Sequence, residues 1–360
     1  MLYRRIFIPG LLLLLALGHL ALAEDTSEPF RRLDRNKDGQ LTKDEFSGKL
    51  FDEIDTNKDG VVSTEEDVAY SRRQSNLPET VQAKLDLPYA GTENPRQRLD
   101  LYLPRTRKDD KLLPVVVFIH GGAWLAGDKR GGREMLLPLV ESGDYAGVSV
   151  GYRLTGEAIW PAQIHDCKAA IRWLRANAQQ FHLDPDKIGV MGTSAGGHLV
   201  AMLGTSGDVP ALEGTLGEHL TLSSRVTCVV DLFGPTDLLA MGGSHNNPNS
   251  PESKLVGGAV QDHPKVAREA SPNTHISKGD SPFLLIHGTN DNTVPFSQSQ
   301  LMHDALKAGG IPTTLIPVQG GGHGNFQTAE VARRTRQFLD KHLRGAEQVI
   351  SEEPIVQGGR

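Results

Sequence analysis

The stretch KIGVMGTSAGGHLVAML, residues 187–203, changes character at its centre. Lys187–Met191 is a short apolar run typical of a buried strand, and Ala195–Leu203 is predicted to be a helix. Gly192–Gly196 (GTSAG) joins the two, and its glycines allow a tight turn with close neighbours. A serine on such a turn is lifted above a sheet at a helix N-terminus, where backbone N–H groups favour an oxyanion. The stretch therefore predicts a strand–turn–helix unit with Ser194 as a nucleophile.

Strands and helices alternate on both sides of this unit. Alternation of this kind predicts a mostly parallel sheet with helices on both faces and a ligand site at the carboxyl ends of the strands. Residues 98–103 alternate between polar and apolar, as an edge or half-buried strand does. The other predicted strands are 115–119, 147–151, 187–191, 226–233, 283–287 and 313–318, and the predicted helices are 163–178, 195–203, 298–307 and 328–342.

A second glycine-rich loop, His120–Trp124 (HGGAW), follows directly on the strand 115–119. Backbone N–H groups of Gly122 and Ala123, together with that of Ala195, are predicted to hold a tetrahedral oxyanion. Alanine supplies the same N–H group as glycine, so Ala123 is compatible with this role. His120 itself is predicted to be structural.

Two further loops carry a carboxylate and a histidine. Asp291 follows the strand 283–287, and His323 lies within Gly320–Gly324, after the strand 313–318. A histidine surrounded by glycines lies on a surface loop, so His323 is the predicted general base, with Asp291 fixing its tautomer. Asp237, which follows the strand 226–233, is the alternative acid.

The N-terminal part contains two copies of a twelve-residue loop, 34–45 and 55–66, that matches the EF-hand calcium pattern. Gly39 and Gly60 allow the sharp turn inside each loop, and Gln40 and Val61 would bind through their backbone carbonyl groups. We predict a structural Ca²⁺ in each loop and no cofactor for catalysis. The predicted ligands are Asp34, Asn36, Asp38, Gln40 and Glu45 in the first loop, and Asp55, Asn57, Asp59, Val61 and Glu66 in the second.

The loops are close together, so one short helix, about 43–54, must serve both. Phe46, Leu50, Phe51 and Ile54 fall on one face of that helix. Leu41 and Val62 occupy the positions where paired loops form a short β-bridge. The module resembles the short EF-hand pairs of secreted bacterial proteins, which implies a structural role or docking to a cell surface or protein.

The first 23 residues have the features of a secretory signal. The positively charged N-terminal segment with Arg4 and Arg5, the apolar run after it and Ala21-Leu22-Ala23 predict cleavage after Ala23. They therefore predict a secreted or periplasmic protein. The alternative is an uncleaved membrane anchor, although the run is shorter than the ~20 residues of a spanning helix. The net charge of −6 and the lack of a long basic run argue against nucleic acid as a partner. Cys167 and Cys228 are predicted to be buried thiols, with a disulfide as the alternative.

Residues 90–343 resemble the α/β-hydrolase esterases, near the hormone-sensitive-lipase-like and bacterial feruloyl or acetyl-xylan esterase groups. The likeness rests on residues 160–166 (WPAQIHD), 171–175 (IRWLR) and 192–198 (GTSAGGH), on a loop similar to H-G-G-G, and on the chain order Ser, Asp, His. It implies an α/β-hydrolase fold, a serine carboxylester hydrolase, and packing roles for Asp166, Trp173 and His198.

The resemblance does not fix the substrate. A polysaccharide-linked acetyl or feruloyl ester and a small-molecule ester both fit, and residues 241–281, rich in Gly, Pro, Asn and Ser, are predicted to form a loop lid. An arylformamidase, a peptidase, or a calcium-dependent binding protein with an inert hydrolase fold remain alternatives. The predicted organisation is 1–23 signal, 24–70 EF-hand pair, 71–84 linker, 85–343 hydrolase domain and 344–360 flexible tail.

Overall fold

A computed structural model of the chain describes residues 28–75, 77–324, 326 and 328–356. The predicted signal, 1–23, lies outside the described residues. The chain divides into two compact units, and the division falls between Glu79 and Thr80. Within the described ranges, no helix has both the length and the apolar character needed to cross a bilayer.

The first unit is built around a two-stranded ribbon. Its elements are α1 (Glu28–Leu33), β1 (Gln40–Thr42), α2 (Lys49–Ile54), β2 (Val61–Ser63) and α3 (Thr64–Ser75). Strands β1 and β2 are antiparallel and pair Leu41 with Val62, so the predicted bridge is confirmed. Both side chains are buried in a core of this unit that also contains Phe30, Phe51 and Ile54.

The helix between the two loops is shorter than predicted. It begins only at Lys49, after Gly48, whose φ of 113° is incompatible with a helix. The expected apolar face is therefore wrong in part. Phe51 and Ile54 are buried and Phe46 packs on the same core from the preceding turn, but Leu50 is 43% exposed.

The second unit is organised by a nine-stranded sheet, which confirms the predicted mostly parallel arrangement. The strand order is β11-β10-β9-β8-β7-β5-β6-β4-β3, and only the β3–β4 and β4–β6 pairs are antiparallel. The strands are β3 (Val81–Pro88), β4 (Arg98–Pro104), β5 (Leu113–Ile119), β6 (Ala146–Val150), β7 (Leu183–Thr193), β8 (Cys228–Leu232), β9 (Phe283–Gly288), β10 (Thr313–Gln319) and β11 (Ile355–Val356).

Helices cover both faces of this sheet. Val117 of β5 belongs to the large core that contains residues of the helices 162–176 and 195–205. Gly147 lies on the opposite face, against Leu136 and Val140 of the helix 133–141. The helices are α4 (Arg133–Glu141), α5 (Ala162–Ala176), α6 (Ala178–Phe181), α7 (Ala195–Thr205), α8 (Pro251–Val256), α9 (Pro264–Glu269), α10 (Ser297–Ala308) and α11 (Ala329–Arg344).

Two predicted segments and one predicted strand position differ from the structure. Residues 71–84, predicted as a linker, include the end of α3 and the start of β3. Because β3 pairs with β4, the strand predicted at 98–103 is not an edge strand. Residues 344–360, predicted as a flexible tail, include β11, which pairs with Val318 and Gln319 of β10. The Arg334 guanidinium also donates to backbone carbonyls in this segment.

Residues 241–281 form a packed insertion instead of the predicted loop lid. Ser250 caps α8 by accepting the Ser253 N–H, and Leu255 and Val256 of that helix are buried in the main core. The Trp160 N–H donates to the Leu255 carbonyl at 2.9 Å. The two α-helices of this insertion have only six residues each, too few for a long periodic pattern, which is why the sequence indicated a loop.

The two cysteines are free and buried, as predicted. Cys167 lies on α5 and Cys228 on β8, and burial raises the pKa of both thiols.

Candidate active site

Ser194 occupies the turn between β7 and α7, with φ 53° and ψ −121°. This backbone conformation is strained for a residue with a side chain. Neighbouring glycines make the turn possible, because a Cβ atom at Gly196 would lie 2.1 Å from the Ile119 carbonyl oxygen. The Ser194 N–H donates to the Leu232 carbonyl at 2.9 Å, which ties the turn to β8.

The structure brings Ser194, His323 and Asp291 into one hydrogen-bonded line. His323 Nε2 lies 3.0 Å from Ser194 Oγ, and His323 Nδ1 lies 2.7 Å from Asp291 Oδ2. The three residues come from the loops after β7, β9 and β10, at the carboxyl edge of the sheet. Phe233 packs its ring edge-on against the His323 imidazole, with 4.8 Å between ring centroids.

Asp291 is held as a carboxylate by donors on both oxygens. The backbone N–H groups of Thr293 and Val294 donate to Oδ1 at 2.7 and 2.9 Å. Burial alone would raise the pKa of Asp291, but hydrogen bonds from His287, from His323 and from these two N–H groups hold it well below the usual range. A buried acid with this set of donors stays ionised at neutral pH.

Asp237, the alternative acid, has a different task. Its Oδ1 accepts the N–H groups of Leu239 and Ala240 at 3.0 and 3.2 Å and so caps a short 3₁₀ turn. Its other oxygen accepts the Asn273 amide at 3.2 Å. The His323 imidazole is bonded to Asp291 instead.

The loop after β5 approaches the serine turn closely. A Cβ atom at Gly121 would lie 2.8 Å from the Thr193 carbonyl oxygen and 3.4 Å from Ser194 Cβ. Gly122 and Ala123 have φ values of 109° and 55°, which fold the loop back on itself. In the part of the chain that the structure describes, the N–H groups of Gly122, Ala123 and Ala195 donate to no protein acceptor. They remain available to a ligand oxygen.

Two histidines near this loop have structural surroundings. The His120 ring stacks on Tyr152 with 4.3 Å between centroids, and burial lowers its pKa. The His198 ring packs against Trp124 and Trp160, and burial lowers its pKa to about 4. His198 Nε2 lies 2.6 Å from the Ala270 carbonyl, which ties α7 to the insertion.

Asp166 and Trp173, for which the resemblance implies packing roles, both contact neighbouring side chains. Asp166 is fully buried and binds Arg153 at 2.8 Å. Trp173 packs against Phe181, with 5.9 Å between ring centroids.

Sequence reasoning gave no role to His287, the last residue but one of β9. Its Nε2 lies 3.2 Å from Asp291 Oδ2, on the same carboxylate oxygen that binds His323. The only signal in the sequence is its position four residues before Asp291. Phe233 was likewise missed, since its φ of 50° and its contact with His323 follow from tertiary packing.

The two calcium-type loops have parallel geometries. Asp34 Oδ2 accepts the Gly39 N–H at 3.1 Å, and Asp55 Oδ2 accepts the Gly60 N–H at 3.2 Å. The Oδ1 atoms of both aspartates are buried and, within the described ranges, have no hydrogen-bond partner. Two orphaned carboxylate oxygens at equivalent loop positions fit a hard cation such as Ca²⁺.

The closing glutamates are bonded inside their loops. Glu45 accepts from Thr42, and Glu66 accepts from Thr56, Asn57 and Ser63. Among the residues described, no group of three or more His, Cys, Asp or Glu side chains is arranged to hold a metal. The predicted calcium ligands of each loop also include an asparagine side chain and a backbone carbonyl group, neither of which belongs to these four residue types.

The sheet order, the serine turn and the Ser–His–Asp geometry together define an α/β-hydrolase fold. The profile of the BD-FAE family matches residues 99–306, and the chain belongs to that family. An EF-hand profile matches residues 28–47 and 48–66 of the first unit.

The chain is similar to several proteins named as esterases. Esterase LipC of Mycobacterium tuberculosis is 31% identical over 277 residues, which cover 72% of this chain and 66% of LipC. A solved structure of a truncated carbohydrate esterase from gut microbiota is 34% identical, with a TM-score of 0.70 and coverage of 74% of this chain and 99% of the other. A bifunctional GH43-CE protein of Bacteroides eggerthii is 36% identical, with a TM-score of 0.67, and the match covers 72% of this chain and 35% of that one.

Proposed function

We propose that this chain is an exported serine carboxylester hydrolase with Ser194, His323 and Asp291 as its catalytic triad. The observation that carries the proposal is the continuous line of hydrogen bonds from Ser194 Oγ through the His323 imidazole to Asp291. The esterase relatives support the same reaction class.

The geometry supports acylation of the serine. His323 accepts the Ser194 hydroxyl proton at Nε2 while its Nδ1–H donates to Asp291, so the imidazolium forms beside a fixed negative charge. Ser194 Oγ then attacks the ester carbonyl carbon. The new C–O bond pushes the carbonyl electrons onto oxygen, where the N–H groups of Gly122, Ala123 and Ala195 stabilise the charge.

Collapse of this intermediate completes the cycle. The alcohol leaves with the proton from His323 Nε2, and the acyl group stays on Ser194 Oγ. A water molecule then loses a proton to His323 and attacks the acyl carbon. The bond to Ser194 Oγ breaks, His323 returns the proton to that oxygen, and the acid is released.

The substrate proposed is an acetyl or feruloyl ester of a polysaccharide. The predicted export agrees with this class, because polymeric esters lie outside the cell. The likeness to a carbohydrate esterase from gut microbiota points to the same class.

A calcium role is proposed for the first unit only. Asp34 and Asp55 each have a buried free oxygen with which to bind the ion, and Gln40 and Val61 would add backbone carbonyl groups. Bound Ca²⁺ would supply positive charge that links the two ends of each loop. Docking of this unit to a cell surface or protein is part of the same proposal.

The triad is tested by hydrolysis of short aryl esters together with labelling by a serine-reactive fluorophosphonate. We expect Ser194→Ala to abolish labelling and to lower kcat by about 10⁴-fold or more. Asp291→Asn should lower kcat by about 10⁴-fold. The matched variant Asp237→Asn should retain kcat, since Asp237 caps a turn and accepts the Asn273 amide, while His323 is bonded to Asp291. Full activity in Ser194→Ala would defeat the proposal.

The substrate class and the export need separate measurements. Acetate release from acetylated xylan, measured beside hydrolysis of simple esters, tests the polysaccharide. Activity on simple esters alone would reject that part of the proposal. N-terminal sequencing of protein from the periplasm or medium should begin at Glu24.

A further inference from the structure

His287 lies at the end of β9 with a fully buried side chain. Three groups surround its ring nitrogens. Nδ1 is 2.7 Å from Ser299 Oγ on α10, and Nε2 is 3.2 Å from Asp291 Oδ2 and 2.9 Å from the Val294 carbonyl oxygen. Every polar atom of the imidazole therefore has a protein partner.

These contacts assign the tautomer of His287. A backbone carbonyl can only accept, so the Nε2 atom that faces the Val294 oxygen must carry a hydrogen. The same N–H is shared with Asp291 Oδ2. The Ser299 hydroxyl then donates to the unprotonated Nδ1, and the neutral ring satisfies both of its nitrogens.

We propose that His287 is a positioning residue for the triad carboxylate, which it holds through a neutral Nε2–H···Oδ2 hydrogen bond. This inference rests on the proposed function, in which Asp291 orients His323. The bond gives Oδ2 a second donor besides His323, while Thr293 and Val294 hold Oδ1. Four donors on two oxygens fix both the rotation and the charge of the carboxylate.

The charged groups around His287 are few and lie on three elements. Asp291 and His323 face it from the loops after β9 and β10, and the buried Asp231 of β8 is the third titratable group near it. Ser299 is the polar contact from α10. Without the His287 donor, the negative charge of Asp291 would be less shielded on the side of His323, and the carboxylate could rotate. Proton transfer from Ser194 to His323 would then be slower.

The test compares His287→Leu, which removes the donor at similar volume, with His287→Gln, which keeps an N–H donor. We expect His287→Leu to lower kcat by about 10- to 100-fold, the usual effect of a hydrogen bond to a charged group, with KM nearly unchanged. The acid limb of the kcat/KM profile should move to higher pH, because the less shielded carboxylate favours the protonated imidazole of His323. His287→Gln should restore most of kcat and the original pH limb.

A measurement independent of activity is the ¹⁵N spectrum of histidine-labelled wild-type protein at neutral pH. The inference requires His287 to show a protonated Nε2 and an unprotonated Nδ1, and the opposite tautomer overturns it even if the chain is an active esterase. An inactive wild type with the expected tautomer overturns the proposed function and leaves the assignment of the hydrogen bond in place.

Folding of the variants is checked by circular dichroism. If His287→Leu does not fold, Ser299→Ala takes its place, because it keeps the imidazole and removes only the partner of Nδ1. We expect a several-fold loss of kcat and the same direction of shift in the pH limb. A folded variant of either kind with wild-type kcat and pH profile rejects the positioning role.

Discussion

The strained backbone of Ser194 is retained because both sides of the turn are fixed. Its N–H is bonded to Leu232 and its carbonyl accepts the His198 N–H at 3.0 Å. A residue in such a conformation costs about 1–3 kcal/mol, which the surrounding hydrogen bonds and glycine contacts must offset. The outcome is a hydroxyl group held at a fixed distance from His323 before substrate arrives.

Asp231, which is buried behind this turn, should make the stability of the second unit depend on pH. Its Oδ1 accepts the Gly234 N–H at 2.8 Å, and burial raises its pKa to about 6. Between about pH 4 and 6 the folded state therefore binds more protons than the unfolded state. Stability falls as pH rises through this window, by up to about 3 kcal/mol.

Asp231→Asn removes the titrating group and should reduce the loss of stability as pH rises through this window. Denaturant unfolding of wild type and variant at several values between pH 4 and 7 measures the difference. Two curves that stay parallel across the window would contradict the assignment. The exposed Asp109 offers a control, because Asp109→Asn should leave the slope unchanged.

The triad residues were predictable from sequence because each lies in a short loop directly after a strand, where parallel strands end at one edge. The choice between Asp291 and Asp237 needed the structure, since both follow strands and only hydrogen bonding separates them. His287 could not be found in this way. Its role depends on Ser299, which reaches it from a separate helix through packing.

The conformation of the loop after β5 requires glycine at position 122. Gly122 has a positive φ, and a Cβ atom there would lie 2.2 Å from the Ala126 carbonyl oxygen. Ala123 also has a positive φ, but its side chain is already accommodated. The two neighbours are therefore expected to respond differently to exchange between glycine and alanine.

We expect Gly122→Ala to displace the loop and lower kcat by about 10²-fold or more, the usual effect of losing an oxyanion donor. Ala123→Gly keeps its N–H and should retain kcat, with stability within about 1 kcal/mol of wild type, because relief of strain opposes a more flexible unfolded chain. Ester hydrolysis and denaturant unfolding measure both variants. Equal loss of activity in the two would refute this account.

Strands β5, β8 and β9 were evident in the sequence because they are buried on both faces and read as continuous apolar runs. Strand β3 was missed because its polar residues and the irregular pairing between Lys84 and Leu87 hide the alternation. Helix α4 contains Pro138, which disfavours a helix on local grounds. Strand β11 has only two residues, and pairing with β10 alone defines it.

The molecule consists of two units with cores of very different size. Among the roughly fifty described residues of the first unit, five buried hydrophobic side chains form its core, which is a small core for a stretch of that length. The orphaned oxygens of Asp34 and Asp55 add unpaired negative charge to it. Both features support the proposal that a bound ion, more than the core, stabilises this unit.

Chelation is therefore expected to lower the melting temperature of the first unit. With free Ca²⁺ tenfold above Kd, each ion adds about 1.4 kcal/mol. Calorimetry with and without a chelator measures the shift, and Glu45→Gln combined with Glu66→Gln should abolish it. Ester hydrolysis well below the melting temperature should stay constant. Loss of hydrolysis on chelation would instead assign calcium a role in catalysis.

The two edges of the nine-stranded sheet affect the tendency of the protein to aggregate at high concentration. An open edge strand is a template for pairing with another molecule and so for aggregation. Irregular pairing interrupts β3, and on the other side β11 occupies the end of β10 while Pro317 removes one donor from that strand. Neither edge offers a long regular ladder, so the fold discourages intermolecular strand addition.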